Sequence, residues 1–528
     1  MQRLSQRVLL LSGWRRALVA FLAGAFTTLV LAPFHLFFVG FLTFPILVWL
    51  LDGAVGESDA GRFRRLRPSF FVGWWFGFGY FVAGLWWISN ALLVEAPEFA
   101  WAIPLAVLGL PAILAIFYAL AAAFARAFWP DNLLRIFVLA AFMGVAEWLR
   151  SFVFTGFPWN AIGYGIMPSP LMMQSVSITG AEAINILAVL AFALPAGLAQ
   201  SNRSAVVSTL LVTLLLASHV GYGYWRLHIL PDAEDEGRVV RLVQPAIDQS
   251  EKWDPTHAKS TFDNLLMLSS ASPVLEEMDR PSLIIWPETA VPFILTREPS
   301  AVAAIAETLQ VGQSLVAGVV REEQGEETEA AEARFYNSML MIDSEGIISD
   351  AADKVHLVPF GEYLPFAQQL GGLGLKAVAA ADRGYVGATQ RRSLELTGGL
   401  SAIPLICYEA IFASEVKRLA ETDGLMINIT NDAWYGNTPG PYQHFHQSQL
   451  RTVELGLPMA RAANNGISAI IDAKGRIVEK LDFAVSGAID AVLPGKIALP
   501  SGKRYSSHIF WLLVLLFTTL GMMFRVRS

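Results

Sequence analysis

Long apolar runs dominate the first 225 residues of the chain, and one more run lies near its C-terminus. A helix needs about 20 apolar residues to cross the roughly 30 Å hydrocarbon core of a bilayer. The runs reach or approach that length, so the pattern predicts about eight transmembrane helices. Seven fall within residues 1–224 and the eighth within residues 507–528. The predicted spans are 15–32, 34–51, 69–89, 101–125, 133–152, 181–199, 204–224 and 507–525.

The segment 225–506 has a different pattern, because short β-rich apolar runs alternate there with helical ones. Continuous apolar strands are typical of sheets covered on both faces, and alternation of strands with helices favours a layered α/β fold. Helices are predicted near Pro299–Val311 and Pro441–Leu455. The predicted strands are Arg238–Gln244, Ser282–Trp286, Ser314–Val320, Ser338–Asp343, Ile403–Cys407, Leu425–Ile429 and Ile467–Asp472.

Charge supports a membrane location and predicts an orientation. Charged residues make up 16% of the chain and hydrophobic residues 54%, whereas soluble proteins carry about 25% charge. With eight spans, every arginine cluster between spans falls on the same side, which is cytoplasmic by the positive-inside rule. Both termini are then cytoplasmic and the segment 225–506 is periplasmic. The net charge of −7 argues against a nucleic-acid partner.

Three reactive side chains lie at or just after predicted strands: Glu288, Lys354 and Cys407. A lone cysteine is often only a small buried residue, but this one ends its strand, which favours a functional role. A carboxylate can take the proton of a thiol, and an ammonium can stabilise a thiolate and an oxyanion. These groups suffice for acyl transfer through a thioester without a metal or other cofactor. A single cysteine also excludes an internal disulfide.

The motifs around these three residues resemble the Glu-Lys-Cys triad of the nitrilase superfamily. With the membrane region included, nearly the whole chain is similar to the apolipoprotein N-acyltransferase family. The membrane region contributes Glu147-Trp148-Leu149-Arg150, Thr155-Gly156-Phe157-Pro158-Trp159 and Gly163-Tyr164. The α/β segment contributes Gln244, Lys252-Trp253, Phe335-Tyr336-Asn337-Ser338, Asn431-Asp432-Ala433-Trp434, Gly440-Pro441, Gln443-His444, Arg461 and Asn464-Asn465-Gly466.

The resemblance implies a role for each matching residue. Glu288 would be the general base, Lys354 the stabiliser of thiolate and oxyanion, and Cys407 the nucleophile. Three supporting residues are implied: Glu362 to orient the lysine, and Tyr408 and Glu409 after the nucleophile. The main-chain N–H of Tyr408 would be a second oxyanion donor. The implied residues near the acyl site are Trp253, Asn337, Trp434 and Tyr435, of which Tyr435 stands where the family pattern suggests Phe.

The resemblance also implies a fold, a reaction and a location. The segment 225–506 would be an α-β-β-α sandwich on a polytopic helical base in the bacterial cytoplasmic (inner) membrane. A phospholipid, phosphatidylethanolamine, would donate its sn-1 acyl chain to the cysteine. The acceptor would be the α-amine of a diacylglyceryl-cysteine apolipoprotein.

Two other functions remain open from the residues alone. A membrane-tethered amidase or nitrile hydrolase would use the same triad with water as acceptor. A transporter or receptor with an external ligand domain would form no acyl-enzyme. In the membrane region, Glu147 and Arg150 lie three apart on one predicted helix, so either they pair with each other or they contact a lipid headgroup. His356 and His444 are weaker candidates for proton relays.

Overall fold

The computed structural model describes residues 1–56, 61–94, 96–273, 278–324, 333–365, 384–417, 419–498 and 501–525. The chain forms two compact units. One comprises Met1–Ser89, Ala102–Pro231 and Pro500–Ser528, and the other comprises Asn90–Trp101 and Asp232–Leu499. The domain boundaries predicted from the sequence, at 224/225 and 506/507, stay predictions.

The first unit is helical. Helices occupy parts of all eight predicted spans, and 3₁₀ turns at Thr28–Val30 and Phe37–Val39 separate the first two. The helices are Gln2–Leu9, Gly13–Thr27, Gly40–Asp52, Arg62–Leu85, Leu110–Ala127, Leu134–Arg150, Pro170–Met173, Val176–Ala193, Asn202–Tyr224 and Ser501–Arg525, with Ser89–Val94 and Ala96–Phe99 at the crossing into the second unit.

Five helical segments in the described part of the chain are long and apolar enough to cross a membrane. The helices in the predicted spans 15–32, 34–51 and 133–152 have only 15, 13 and 17 residues. The predicted count of eight is therefore not confirmed. The five segments are Phe63–Val94, Ala96–Ala127, Val176–Ala199, Asn202–Ile229 and Tyr505–Phe524.

A buried charge pair lies in the helix Leu134–Arg150. Arg150 pairs with Glu147, which also accepts a hydrogen bond from the hydroxyl of Tyr118. Arg150 donates further to the main-chain oxygens of Phe157 and Trp159. Of the two alternatives left open by the sequence, the structure thus shows the pairing of Glu147 with Arg150.

The second unit contains twelve described strands. All seven predicted strands are present, and five more were not predicted: β5, β6, β9, β11 and β12. The strands are β1 (Val239–Gln244), β2 (Leu283–Ile285), β3 (Ser314–Glu323), β4 (Arg334–Asp343), β5 (Ile348–Asp353), β6 (Leu394–Glu395), β7 (Ser401–Ile406), β8 (Leu425–Thr430), β9 (Met459–Ala463), β10 (Ser468–Ile471), β11 (Ile477–Leu481) and β12 (Gly487–Val492).

These strands form two six-stranded sheets, in the orders β12-β1-β2-β3-β4-β5 and β11-β10-β9-β8-β7-β6. Each sheet has three parallel strands at its centre, β1-β2-β3 in one and β7-β8-β9 in the other. The remaining pairs are antiparallel. Residues that follow the central strands of one sheet therefore meet at a common edge, where ligands bind in open α/β folds.

Helices cover the outer faces of both sheets. The helices Ala258–Ser270 and Pro299–Thr308 pack on the first sheet, and the helix Pro439–Leu455 packs on the second. Buried side chains such as Leu265, at 0% exposure, each stabilise this packing by about 1.5–3 kcal/mol. The inner faces meet each other, since β1 lies against β9 and β4 against β7. The layering is that of the expected α-β-β-α sandwich.

Candidate active site

Glu288 lies in the turn that follows β2. The turn is tied to β3, because Trp286 N donates to Val316 O at 2.9 Å and Ala290 N donates to Gly318 O at 2.8 Å. A Cβ on Gly318 would stand 2.1 Å from Pro287 O, so only glycine allows this approach. The strand end thereby delivers the Glu288 carboxylate, only 5% exposed, into the interior of the second unit.

Lys354 follows β5, and its Nζ is shared by two carboxylates. Its Nζ donates to Glu362 Oε1 at 2.9 Å and to Glu288 Oε1 at 3.3 Å. Asn337 Nδ2 donates to the same two oxygens at 3.0 and 2.7 Å. Burial disfavours the ammonium, but the charges of Glu362 and Glu288 outweigh it and raise the pKa of Lys354. Lys354 is thus held as a fixed cation.

Cys407 begins the 3₁₀ helix Cys407–Ile411 directly after β7, with φ of 56°. A non-glycine residue in this left-handed region costs on the order of 1–3 kcal/mol, and such strain is concentrated at functional sites. Thr430 Oγ1 lies 3.5 Å from its Sγ. Burial and the charge of Glu288 raise the pKa of the thiol to about 12, and Lys354 lowers it only in part. Cys407 is therefore a neutral thiol at pH 7.

The two oxygens of Glu288 differ in their remaining capacity to accept a proton. Oε1 accepts from Asn337 and Lys354, whereas Oε2 accepts one described hydrogen bond, from Asn431 N at 2.9 Å. A carboxylate oxygen has two lone pairs, so Oε2 keeps one. The charge of Glu288 acts on Cys407, and Oε2 is consequently the oxygen suited to take the thiol proton.

The predicted supporting residues surround this cluster. Glu362 Oε2 accepts from Val358 N at 2.8 Å, which fixes the carboxylate that holds Lys354. The hydroxyl of Tyr408 donates to Leu357 O at 2.6 Å, and its ring centroid lies 5.5 Å from Lys354 Nζ. The ring of Tyr408, the residue after Cys407, thus lies close to the ammonium of Lys354.

Glu409 joins three segments of the chain. It accepts from both terminal nitrogens of Arg391 at 2.8 Å, from Val355 N and His356 N at 2.9 Å, and from Ile406 N at 2.7 Å. Burial alone would raise its pKa, but Arg391 and these donors lower it. Glu409 therefore fixes the residues after Lys354 against the strand end that carries Cys407.

The predicted substrate-binding residues occupy different environments. Asn337 is 2% exposed and lies inside the cluster, whereas the Trp253 side chain is 45% exposed. Trp434 and Tyr435 are half-buried in the 3₁₀ helix Asp432–Tyr435. The Tyr435 side chain hydrogen-bonds Cys407, and burial together with the nearby charges raises its pKa. The Tyr435 hydroxyl thus lies beside Cys407, and this contact would be lost with the Phe that the family pattern suggests at this position.

A second buried charge cluster, which was not predicted, lies next to Cys407. Asp432 accepts from Arg461 at 2.8 Å, from His444 Nδ1 at 2.8 Å and from Thr430 at 3.0 Å. Burial raises and Arg461 lowers the pKa of Asp432, and the lowering prevails. Asp432, Arg461 and His444 lie in motifs quoted above, but only the fold shows that they meet beneath Cys407 through Thr430.

The two histidines considered as proton relays have other partners. His356 Nδ1 lies 2.8 Å from Glu415 Oε1, and its ring stacks on Phe412 at 3.8 Å between centroids. His444 belongs to the Asp432 cluster, and burial lowers its pKa. Within the described residues, no group of three or more His, Cys, Asp or Glu side chains is arranged to hold a metal ion.

Comparison with known proteins finds relatives that match the chain over nearly its whole length. Residues 23–194 match the family described as "Apolipoprotein N-acyltransferase N-terminal domain", and residues 239–497 match "Carbon-nitrogen hydrolase". An "Apolipoprotein N-acyltransferase" of Brucella suis biovar 1 (strain 1330) is 54% identical over 93% of this chain and 92% of that protein. One of Sinorhizobium fredii (strain NBRC 101917 / NGR234) is 52% identical over 100% of both. The chain therefore belongs to the apolipoprotein N-acyltransferase family of acyltransferase enzymes.

Proposed function

We propose that this protein moves an acyl chain from a membrane phospholipid to the N-terminal amine of an apolipoprotein, through a thioester on Cys407. The acceptor class is the one named for its relatives. The observation that carries the proposal is a buried cluster, in which Lys354 and Asn337 each donate to both Glu288 and Glu362. The charges of Glu288 and Lys354 act on Cys407, the only cysteine of the chain. Such a cluster supplies a base, a fixed cation and a nucleophile together.

In the first half-reaction, the thiol of Cys407 adds to the sn-1 ester carbonyl of phosphatidylethanolamine. Glu288 Oε2 takes the thiol proton as the carbon–sulfur bond forms. Lys354 and the N–H of Tyr408 stabilise the oxyanion of the tetrahedral intermediate. The ester C–O bond then breaks, and Glu288 returns its proton to the departing alkoxide. A lysophospholipid leaves, and the acyl chain remains as a thioester.

In the second half-reaction, the α-amine of a diacylglyceryl-cysteine apolipoprotein attacks the thioester carbonyl. Glu288, again a carboxylate, accepts a proton from the attacking nitrogen. Collapse of the intermediate breaks the carbon–sulfur bond, and the thiolate recovers the proton from Glu288. The products are an amide and the free thiol. The site must exclude water during this sequence, because water would hydrolyse the thioester.

Both substrates are lipids, which accounts for a carbon-nitrogen hydrolase domain joined to a helical membrane region. The exposed indole of Trp253, directly after the buried Lys252, suits contact with lipid. We further propose eight transmembrane spans, both termini in the cytoplasm and the catalytic unit in the periplasm. The arginine pattern supports this orientation.

The test uses the purified full-length protein with phosphatidylethanolamine labelled in the sn-1 chain and a synthetic diacylated lipopeptide. Without the acceptor, intact mass should increase by one acyl group, located on Cys407 by proteolysis, and this adduct should be absent in Cys407→Ala. On addition of the lipopeptide, the label should move to its N-terminus. A chain that acylates the peptide without passing through Cys407 would contradict the thioester route.

The same experiment distinguishes the proposed acyltransferase from the alternative function, a hydrolase. A membrane-tethered amidase with this triad would release labelled fatty acid to water and leave the lipopeptide unmodified. Release of fatty acid at the same rate with and without lipopeptide would favour the hydrolase. Absence of any acyl-enzyme in the wild-type protein would favour a binding protein.

A further inference from the structure

A second lysine is buried beside the cluster, and neither half-reaction uses it. Lys252 is 1% exposed. Its Nζ donates to Thr289 Oγ1 at 2.7 Å and to the main-chain oxygen of Glu288 at 3.1 Å. Its charge also interacts with Glu288 and Cys407. Since burying an ammonium is costly unless charges and hydrogen bonds compensate it, its presence in this position calls for a reason.

Lys252 lies at the end of a segment that we call the strap (residues 244–253). The strap is hydrogen-bonded to the strand ends around the site. Gln244 Oε1 accepts from Ser468 Oγ at 2.5 Å, and Ile247 N donates to Asn464 Oδ1 at 3.1 Å. Gln249 Oε1 accepts from Asn431 Nδ2 at 2.6 Å. The strap therefore joins the ends of β8, β9 and β10 to the turn that carries Glu288, which it reaches through Lys252.

Among the described residues of this cluster, Lys252 balances the charges, because two carboxylates, Glu288 and Glu362, share the single ammonium of Lys354. Glu288 and Glu362 are two buried carboxylates that share Lys354 and Asn337. With Lys354 alone, the described cluster would hold an excess negative charge, which is unfavourable when two carboxylates lie close together in a buried site. Burial lowers the pKa of Lys252 to about 8, against the opposing effect of Glu288 and Cys407, so Lys252 is still an ammonium at pH 7.

We propose that Lys252 is a positioning residue which supplies the second positive charge of the site. It fixes the Glu288 turn through Thr289 and the main chain, and it keeps Glu288 ionised as a base while Glu362 remains the carboxylate partner of Lys354. This inference rests on the proposed function, because the base is needed for acylation of Cys407.

The experiment compares the pH dependence of single-turnover acyl-enzyme formation in the full-length protein with labelled phosphatidylethanolamine. Lys252→Met and Lys252→Gln remove the charge, and Lys252→Arg keeps it. Thr289→Val removes a hydrogen-bond acceptor and leaves the charge. Lys259→Met is the matched surface control, since the Lys259 side chain is 86% exposed.

We expect the acid limb of the profile to move to higher pH by about one unit or more in both neutral variants. At a pH below the wild-type limb this is about a tenfold or greater loss of rate. Lys252→Arg and Thr289→Val should keep the wild-type limb even where the plateau rate falls, and Lys259→Met should match the wild type throughout. A purely structural role would lower the plateau of the neutral variants without moving the limb, and that result overturns the proposal.

If Lys252→Met or Lys252→Gln folds poorly, the pH dependence of its thermal stability is measured instead of the rate. Without Lys252 the folded pocket binds a proton more tightly than the unfolded chain does, so the variant should regain stability as the pH falls. Its deficit in melting temperature relative to wild type should shrink between pH 8 and pH 5, and a deficit independent of pH overturns the proposal. A wild-type protein that forms no acyl-enzyme would instead reject the proposed function itself.

Discussion

At the scale of single residues, the site combines a thiol that stays protonated with a carboxylate that keeps one unused lone pair. Burial opposes ionisation of Cys407, and the hydrogen bonds to Glu288 leave Oε2 as the proton acceptor. In the proposed mechanism, the nucleophile is therefore generated by proton transfer within the pocket during attack. This mechanism does not require Cys407 to be a thiolate in the resting enzyme.

The first prediction follows from the role of Glu288 as base. Glu288→Gln keeps the size of the side chain but cannot accept the thiol proton, so acyl-enzyme formation should fall by about 10²–10⁴-fold. Single-turnover labelling with phospholipid measures it. Glu298→Gln, at an exposed position in the same region, should retain the wild-type rate. Equal rates in both variants would show that another group takes the proton.

A second prediction concerns the thiol itself in the absence of lipid. An ordinary cysteine titrates near pH 8.5, whereas the pKa of Cys407 is raised to about 12. A raised thiol pKa means that the neutral form persists as the pH rises. At pH 8.5 the thiolate fraction should thus be on the order of a thousandfold below that of an ordinary thiol.

Alkylation by iodoacetamide, followed by intact mass, tests this directly because the chain has one cysteine. The rate should keep rising with pH through pH 10 in the folded protein. The same protein unfolded in denaturant should reach its plateau near pH 9 to 10. A plateau in the folded protein below pH 10 would contradict the assignment.

At the scale of elements, the active site depends on how closely strands approach the turns that carry its residues. The Glu288 turn rests on β3 at Gly318, and Glu409 fastens the residues after Lys354 to the end of β7. These contacts join segments distant in sequence. Small shifts of one element should consequently alter the geometry of the reacting groups.

Gly318→Ala tests this dependence. The new Cβ would meet Pro287 O at 2.1 Å and Glu288 Cα at 2.8 Å, so β3 or the turn must move. Because displacements of about 1 Å can cost 10²-fold in rate, acyl-enzyme formation should fall by about tenfold or more. Gly487→Ala in β12 is the control, since its Cβ would find its nearest atom at 3.7 Å. Matching rates in the two variants would refute this account.

At the scale of the whole molecule, two compact units carry different tasks, and the proposed orientation decides which compartment supplies the substrates. In intact spheroplasts, a membrane-impermeant amine reagent should label the exposed Lys259. A protease should remove an N-terminal tag only after lysis. The opposite pattern would place the catalytic unit in the cytoplasm and contradict the positive-inside assignment.

The sequence by itself predicted the membrane character, the α/β segment, seven of its twelve described strands and three candidate reactive residues at strand ends. These features follow from periodicity and composition, which can be recognised within one segment of the chain without knowing what it packs against. It did not reveal β9 or β11, because Met459–Ala463 lacks a strong β pattern and most of Ile477–Leu481 is exposed. The predicted count of eight spans is not confirmed, because five helical segments of the described residues are long and apolar enough to cross a bilayer.

Only the tertiary structure decided which polar groups meet. Three sets of contacts join residues far apart in sequence. Asn337 donates hydrogen bonds to Glu288 and Glu362, Tyr435 contacts Cys407, and the buried Lys252 donates to Thr289. Hydrogen bonds and charge interactions depend on distances of a few ångströms, and those are set when two sheets and their loops pack together. A pattern along the chain predicts which groups are available, and packing determines the partner, the charge and hence the chemistry of each.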